Sequence, residues 1–171
     1  MMKVKELVTP FCEEAISQLN VGDVVNISGY IYCGRDAVLP RICKELEDGT
    51  WDNRGIDLRG GVMFHTAVSP AGVGPTSSNK VEIEDCFEPL SKHGMKMHLG
   101  KGAISKETIQ ALAANNAVFA VIPPVTALLE SQTMEREVVA YPELGMEALH
   151  RIKVKNYQAI IGAAKGRSIY D

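Results

Sequence analysis

Surplus charge, long apolar runs and closely spaced cysteines are all scarce in this sequence, and each scarcity removes a class of function. The 171 residues carry 18 Lys+Arg against 21 Asp+Glu, a net charge of −3. That leaves no cationic surplus for displacing counterions from duplex nucleic acid. No apolar run approaches the roughly 20 residues that a membrane helix needs. The start, Met1-Met2-Lys3-Val4-Lys5-Glu6-Leu7, lacks the apolar stretch of a signal peptide, so a cytoplasmic protein is expected. Cys12, Cys33, Cys43 and Cys86 never stand in the C-x₂-C spacing that places two thiolates on one turn. They are expected to be free thiols, and the chain is expected to hold no metal of its own. The four histidines show no metal spacing either. His65, inside an apolar strand and just before a glycine-rich segment, is the most site-like of them.

What remains is ordinary globular material, 46% hydrophobic and 23% charged, of a length that suits one domain over residues 1–171. Thr9-Pro10, followed by Phe11, Ile16 and Leu19, predicts a helix opening at Pro10. Val21 to Cys33 reads as extended, with Gly22 and Gly29 as breaks or bulges. Ala37, Leu39, Ile42, Cys43 and Leu46 recur at helical spacing and stop at Asp48-Gly49, with Pro40 tolerated in the first turn. Gly49 to Gly61 reads as loop, and Val62 to Val68 as strand. Glu82-Ile83-Glu84-Asp85 alternates and predicts a solvated strand or turn. Ser105 caps a helix through Ile109 and Leu112, Ala117 to Ile122 is a strand, and Pro124 opens a short helix. Val138–Tyr141 and Tyr157–Ile161 read as late strands around a helix near Met146 to Ile152. No repeat or low-complexity tract interrupts this mixed α/β order.

Chemistry concentrates in three places. Ala71-Gly72-Val73-Gly74-Pro75-Thr76-Ser77-Ser78-Asn79-Lys80 combines glycines that let backbone N–H groups approach an anion with three hydroxyls and a point charge. It is not a P-loop, because the Gly-Lys-Ser/Thr order is missing and no helix signal follows. Gly34-Arg35-Asp36 sits where a strand gives way to a helix, and its guanidinium suits a carboxylate. Gly100-Lys101-Gly102 presents an uncrowded cation. Three separated cations beside glycines or hydroxyls suit a small dicarboxylate.

These motifs also carry a resemblance. The order Gly22-Asp23-Val24-Val25-Asn26-Ile27-Ser28-Gly29, Gly34-Arg35-Asp36, Gly74-Pro75-Thr76-Ser77-Ser78, Gly100-Lys101-Gly102 and Glu143-Leu144-Gly145-Met146-Glu147-Ala148 resembles the β subunit of class I, iron–sulfur fumarase and L-tartrate dehydratase. The likeness runs from about Thr9 to the end. It implies a "swivelling" β/β/α domain with layered mixed sheets and helices. The implied activity is reversible hydration of fumarate to (S)-malate, or dehydration of a related hydroxy-diacid such as L-tartrate. The implied partner is an α subunit holding a four-iron four-sulfur cluster through three cysteines, in a hetero-oligomer active only when both chains are present. By the resemblance Arg35, Lys80 and Lys101 bind substrate carboxylate oxygens, and Thr76 abstracts the proton. Ser77 adds a hydrogen bond, Gly74 shapes the loop, and Glu82 orients Lys80. The family loop reads Gly-Pro-Thr-Thr-Ser-x-Arg-Met-Asp; here Ser77, Lys80, Val81 and Glu82 depart from it, and Pro123-Pro124 replaces a Gly-Gly. Lysine swaps a planar fork for a point charge. Those departures motivate the alternative of a non-catalytic anion-binding or interaction domain on the same fold.

Overall fold

In a computed structural model, residues 4–69, 72–76, 80–122, 129 and 132–171 are described. The chain order is β1 (Lys5–Val8), α1 (Glu13–Ser17), β2 (Val24–Cys33), α2 (Leu39–Asp48), β3 (Val62–Phe64), β4 (Thr66–Ser69), β5 (Gly72–Thr76), α3 (Lys80–Lys92), β6 (Met97–Gly100), α4 (Lys106–Ala114), β7 (Val118–Val121), β8 (Thr133–Ala140), β9 (Leu149–Ala164) and β10 (Arg167–Ser168). Short 3₁₀ segments occupy Thr50–Arg54 and Pro142–Glu147. The α/β class is as expected.

Strands β2, β3, β6 and β7 pair in parallel in that order. The long β9 runs antiparallel to both β7 and β2, so the pairing β2–β3–β6–β7–β9–β2 closes on itself. β8 adds to the first half of β9, and β1 to the first half of β2. Both faces of β3, β6 and β7 are buried, which is why the alternating apolar pattern is weak there. One face gathers Val25, Ile27, Phe64, Leu99, Ala120 and Ile161 into the main core, with Ile16 and Leu19 of the α1 region. The opposite face meets a layer of helices, in which α2 packs on α3 and α3 on α4. Met63 lies with Leu39, Ile42 and Leu90 there, and Phe119 with Phe87, Ile109 and Leu112.

Local chemistry explains most element ends. α2 carries Leu39, Ile42 and Leu46 on its buried stripe and ends on Gly49 at φ +84°, a left-handed cap that glycine adopts without strain. Ser105 caps α4, its hydroxyl accepting from the Thr108 amide at 3.2 Å. Gly29 forms the expected bulge, where the β2–β9 register shifts.

Several expectations are corrected. The first helix opens at Glu13 rather than Pro10, because the Thr9 hydroxyl donates to the Tyr30 carbonyl at 2.7 Å and ties Thr9 to β2. Val62 to Val68 breaks at His65 into two strands. Glu82 to Asp85 belongs to α3, not to a strand, and that helix opens at Lys80. The helix expected near Met146 to Ile152 is absent: a 3₁₀ segment ends at Glu147 and β9 begins at Leu149, while the two late strands fall in β8 and β9. The helix predicted at Pro124 lies outside the described residues. Among the described residues no helix is long and apolar enough to cross a membrane.

Candidate functional site

The parallel strands set a common edge. Cys33, Phe64, Leu99 and Ala120 stand in one hydrogen-bonded row across β2, β3, β6 and β7. Two positions beyond that row along three of these strands come Arg35, Thr66 and Lys101. Thr66 pairs with Thr76 in the β4–β5 hairpin, so Thr76 returns to the same edge. α3 then opens at Lys80. Glu84, one turn into α3, accepts from the Ser105 amide at 2.7 Å and the Thr108 hydroxyl at 2.8 Å, which ties the start of α3 to the start of α4 just after Lys101. β2 and β6 flank β3, so their axes lie about 10 Å apart. Topology thus brings Arg35, Thr76, Lys80 and Lys101 to the carboxyl ends of the parallel strands, where open α/β folds place their ligands. Ser77 lies outside the described residues, and Gly74, Thr76, Lys80 and Glu82 are described by their backbone alone. Lys101 is exposed and, among the described residues, without a hydrogen-bond partner.

Arg35 owes its place to Gly34. A Cβ at Gly34 would fall 2.8 Å from the Val38 side chain and 3.5 Å from Leu149, so only glycine lets the chain turn there while its amide donates to the Phe64 carbonyl at 3.0 Å. The Arg35 guanidinium is not free. Its Nε lies 2.7 Å and its Nη2 2.6 Å from Oε1 of Glu147, at the end of the second 3₁₀ segment. That bond holds the Arg35 pKa above its ordinary value. Glu147 Oε2 is buried without a partner. Glu147 is a site residue that the sequence motif contains but gives no role. With Nε and one Nη2 hydrogen engaged, the Nη1/Nη2 edge of Arg35 remains the one with free donors for a second carboxylate. If the ligand is the dicarboxylate expected from the sequence, Glu147→Gln raises its KM about five- to tenfold, by loosening Arg35 rather than by touching the reacting atoms. Initial rates across diacid concentrations check it; an unchanged KM speaks against this role.

Residues 2–171 match the family model described as Fumarase C-terminus. The chain belongs to this family. It is 29% identical to the L(+)-tartrate dehydratase subunit beta of Escherichia coli K12, over 92% of this chain and 81% of that one. It is also 31% identical to a Geobacillus stearothermophilus protein provisionally named a class I fumarate hydratase, over 99% of this chain. It spans about a third of the length of that relative, 34%. The anaerobic class I fumarate hydratase of E. coli K12 is 30% identical over 85% of this chain and 28% of its own length.

The iron–sulfur cluster implied for such enzymes does not fit the cysteines of this Fumarase C-terminus chain. Cys12 is exposed ahead of α1, and Cys33 is buried in β2, where burial pushes its thiol pKa far up. Cys43 and Cys86 face each other between α2 and α3. Among the described residues no three His, Cys, Asp or Glu side chains converge on a metal-sized site.

His65 lies at the same carboxyl edge, between Phe64 of the row and Thr66 of the hairpin. It is 1% exposed, and its Nε2 is 3.1 Å from His98 Nδ1. Burial lowers the pKa of both, that of His98 to about 3, so both rings are neutral. His65, the most site-like histidine of the sequence, is thus buried, and its Nδ1 has no partner.

Proposed function

We propose that this chain is the β subunit of a hydro-lyase that adds water reversibly across fumarate or removes it from a related hydroxy-diacid such as L-tartrate. One observation supports the reading above all: the sheet topology delivers Arg35, Thr76, Lys80 and Lys101 to one edge, each just beyond a strand end or at a helix start. Cations on long side chains, carried beyond strands whose axes lie about 10 Å apart, suit a substrate with two carboxylates. Dehydration takes a proton from one carbon and hydroxide from its neighbour, leaving a C=C bond. Arg35, Lys80 and Lys101 hold the carboxylates, whose charge grows as the carbon loses its proton, and fixed cations favour that change. Thr76 receives the proton and Ser77 supports the same oxygen cluster.

In this reading the cluster belongs to an α subunit, and the active species is a hetero-oligomer. Membership in a family that includes a tartrate dehydratase β subunit supports that assignment. Coexpression with the matching α subunit, followed by an anaerobic assay on fumarate, malate and L-tartrate, tests it. Turnover only when both chains are present is the expected result. An intact complex with a full cluster and no turnover on any hydroxy-diacid overturns it.

A further inference from the structure

The buried pair at the end of β3 continues into a third group. His98 Nε2 lies 3.0 Å from the Ser91 hydroxyl of α3, giving a chain Ser91–His98–His65. All three residues are buried, at 3%, 0% and 1% exposure. Phe87 lies against both imidazoles, with ring centroids 4.3 Å from His98 and 4.7 Å from His65, and so holds their planes. Each neutral imidazole has one N–H and one lone pair, so one assignment in the chain determines the others. The Ser91 hydroxyl has no partner other than His98 among the described residues. Two assignments satisfy both bonds; the one in which Ser91 donates to His98 Nε2 leaves its one unpaired hydrogen on His65 Nδ1, where an anionic ligand would accept it. His98 then carries its hydrogen on Nδ1 and donates to His65 Nε2. His65 in turn carries its hydrogen on Nδ1, the buried atom without a partner.

We propose that His65 is a further binding residue of this site, held by Ser91 and His98 as a neutral Nδ1–H donor for a carboxylate oxygen of the diacid. The inference rests on the hydro-lyase reading for its anionic ligand, which selects the Nδ1–H tautomer of His65. A native protein rarely keeps a buried N–H without an acceptor, and within the described chain nothing supplies one. His65 directly precedes Thr66, the cross-strand partner of Thr76, and stands between the strand ends that carry Arg35 and Lys101. An acceptor arriving at this edge is therefore an oxygen of the ligand those cations hold. A neutral donor adds a directed bond without another positive charge, and the low local dielectric strengthens it. Because the ring stays neutral, it binds the anion without taking its proton.

The tautomers are read first, from ring ¹⁵N–¹H correlations of the full chain labelled at histidine. Hydrogen on Nδ1 of both His65 and His98 is expected; hydrogen on Nε2 of His98 overturns the inference whether or not the enzyme turns over. Kinetics of the assembled complex then test the ligand. His65→Phe is expected to lower kcat/KM by about tenfold to a hundredfold, mainly through KM. Ser91→Ala, which frees the tautomer, is expected to lower it about three- to tenfold, and Ser91→Thr to restore it. Unfolding midpoints and cluster content accompany each variant. Variants that assemble normally and keep kcat/KM within twofold overturn the assignment, as does a loss confined to kcat. Correct tautomers in a complex without hydro-lyase activity sink the functional reading instead.

Discussion

Arg35→Ala in the assembled complex is expected to lower kcat/KM for the diacid by about a hundred- to a thousandfold. Removing one member of a partly buried charge-assisted pair costs about 3–4 kcal/mol, and each 1.4 kcal/mol is a factor of ten. The truncation has two consequences that must be separated. It removes donors from the substrate carboxylate, and it leaves Glu147, whose Oε2 already lacks a partner, without the guanidinium on Oε1. The double variant Arg35→Ala with Glu147→Gln removes the stranded charge. If the damage were only that charge, the double variant would regain most of the activity. The carboxylate-binding role predicts that it stays low. Arg35→Lys is expected to fall between, because an ammonium keeps the charge and loses the fork. Steady-state rates of the three variants, normalised to assembled complex, decide the matter; an Arg35→Ala loss below about fivefold removes Arg35 from the site.

Arg35 was legible in the sequence because its signal is local: a glycine before a cation at the end of a β-branched run. Lys101 was legible for the same reason. Glu147 carries no such signal. It stands 112 positions from Arg35, and only the meeting of the β2 end with the β9 start brings them together: Cys33 pairs with His150. The Ser91–His98–His65 chain is hidden in the same way, since His98 lies on β6 and His65 just past the end of the neighbouring β3, 33 positions away.

Element errors have equally local causes. Glu82, Glu84 and Asp85 fall in the first turns of α3, where acidic residues suit the helix dipole, but the alternation of Glu82-Ile83-Glu84 imitates a strand. The early part of β8 was missed because Glu135, Arg136 and Glu137 are exposed and charged. They are nonetheless strand: Glu137 bonds Arg151 across the β8–β9 pair, and Glu135 faces Lys153. The long β9 reads as part helix and part strand because its buried face changes neighbours midway, from β8 and the end of β2 to the start of β2 and then β7. Periodicity reports burial, and burial there changes along a single strand.

Acid should destabilise this fold well above the pH at which its carboxylates titrate. His98 is held neutral down to about pH 3, and burial, with repulsion from a protonated His98, keeps the His65 pKa well below its ordinary value. Unfolded, each returns to about 6.5. Below pH 6.5 the unfolded chain therefore binds protons that the folded chain refuses, so stability rises with pH and is lost as pH falls through the unfolded value. The slope per group rises from half of about 1.4 kcal/mol per pH unit at pH 6.5 to nearly the full value at 5.0, so the pair removes about 3 kcal/mol over that interval. That is a large part of the roughly 5–15 kcal/mol a domain has. Asp57, lowered to about 2 by the Arg59 guanidinium, acts in the same direction but over a lower pH range. Urea midpoints at pH 7.5, 6.0 and 5.0 should fall steeply. His98→Leu should flatten that dependence even though its absolute stability is lower, because the loss of packing and hydrogen bonds is the same at every pH whereas the titration is not. Equal midpoints for the natural chain at pH 7.5 and 5.0 would mean that the two rings are protonated in the fold, and the neutral chain from Ser91 to His65 would fall with them.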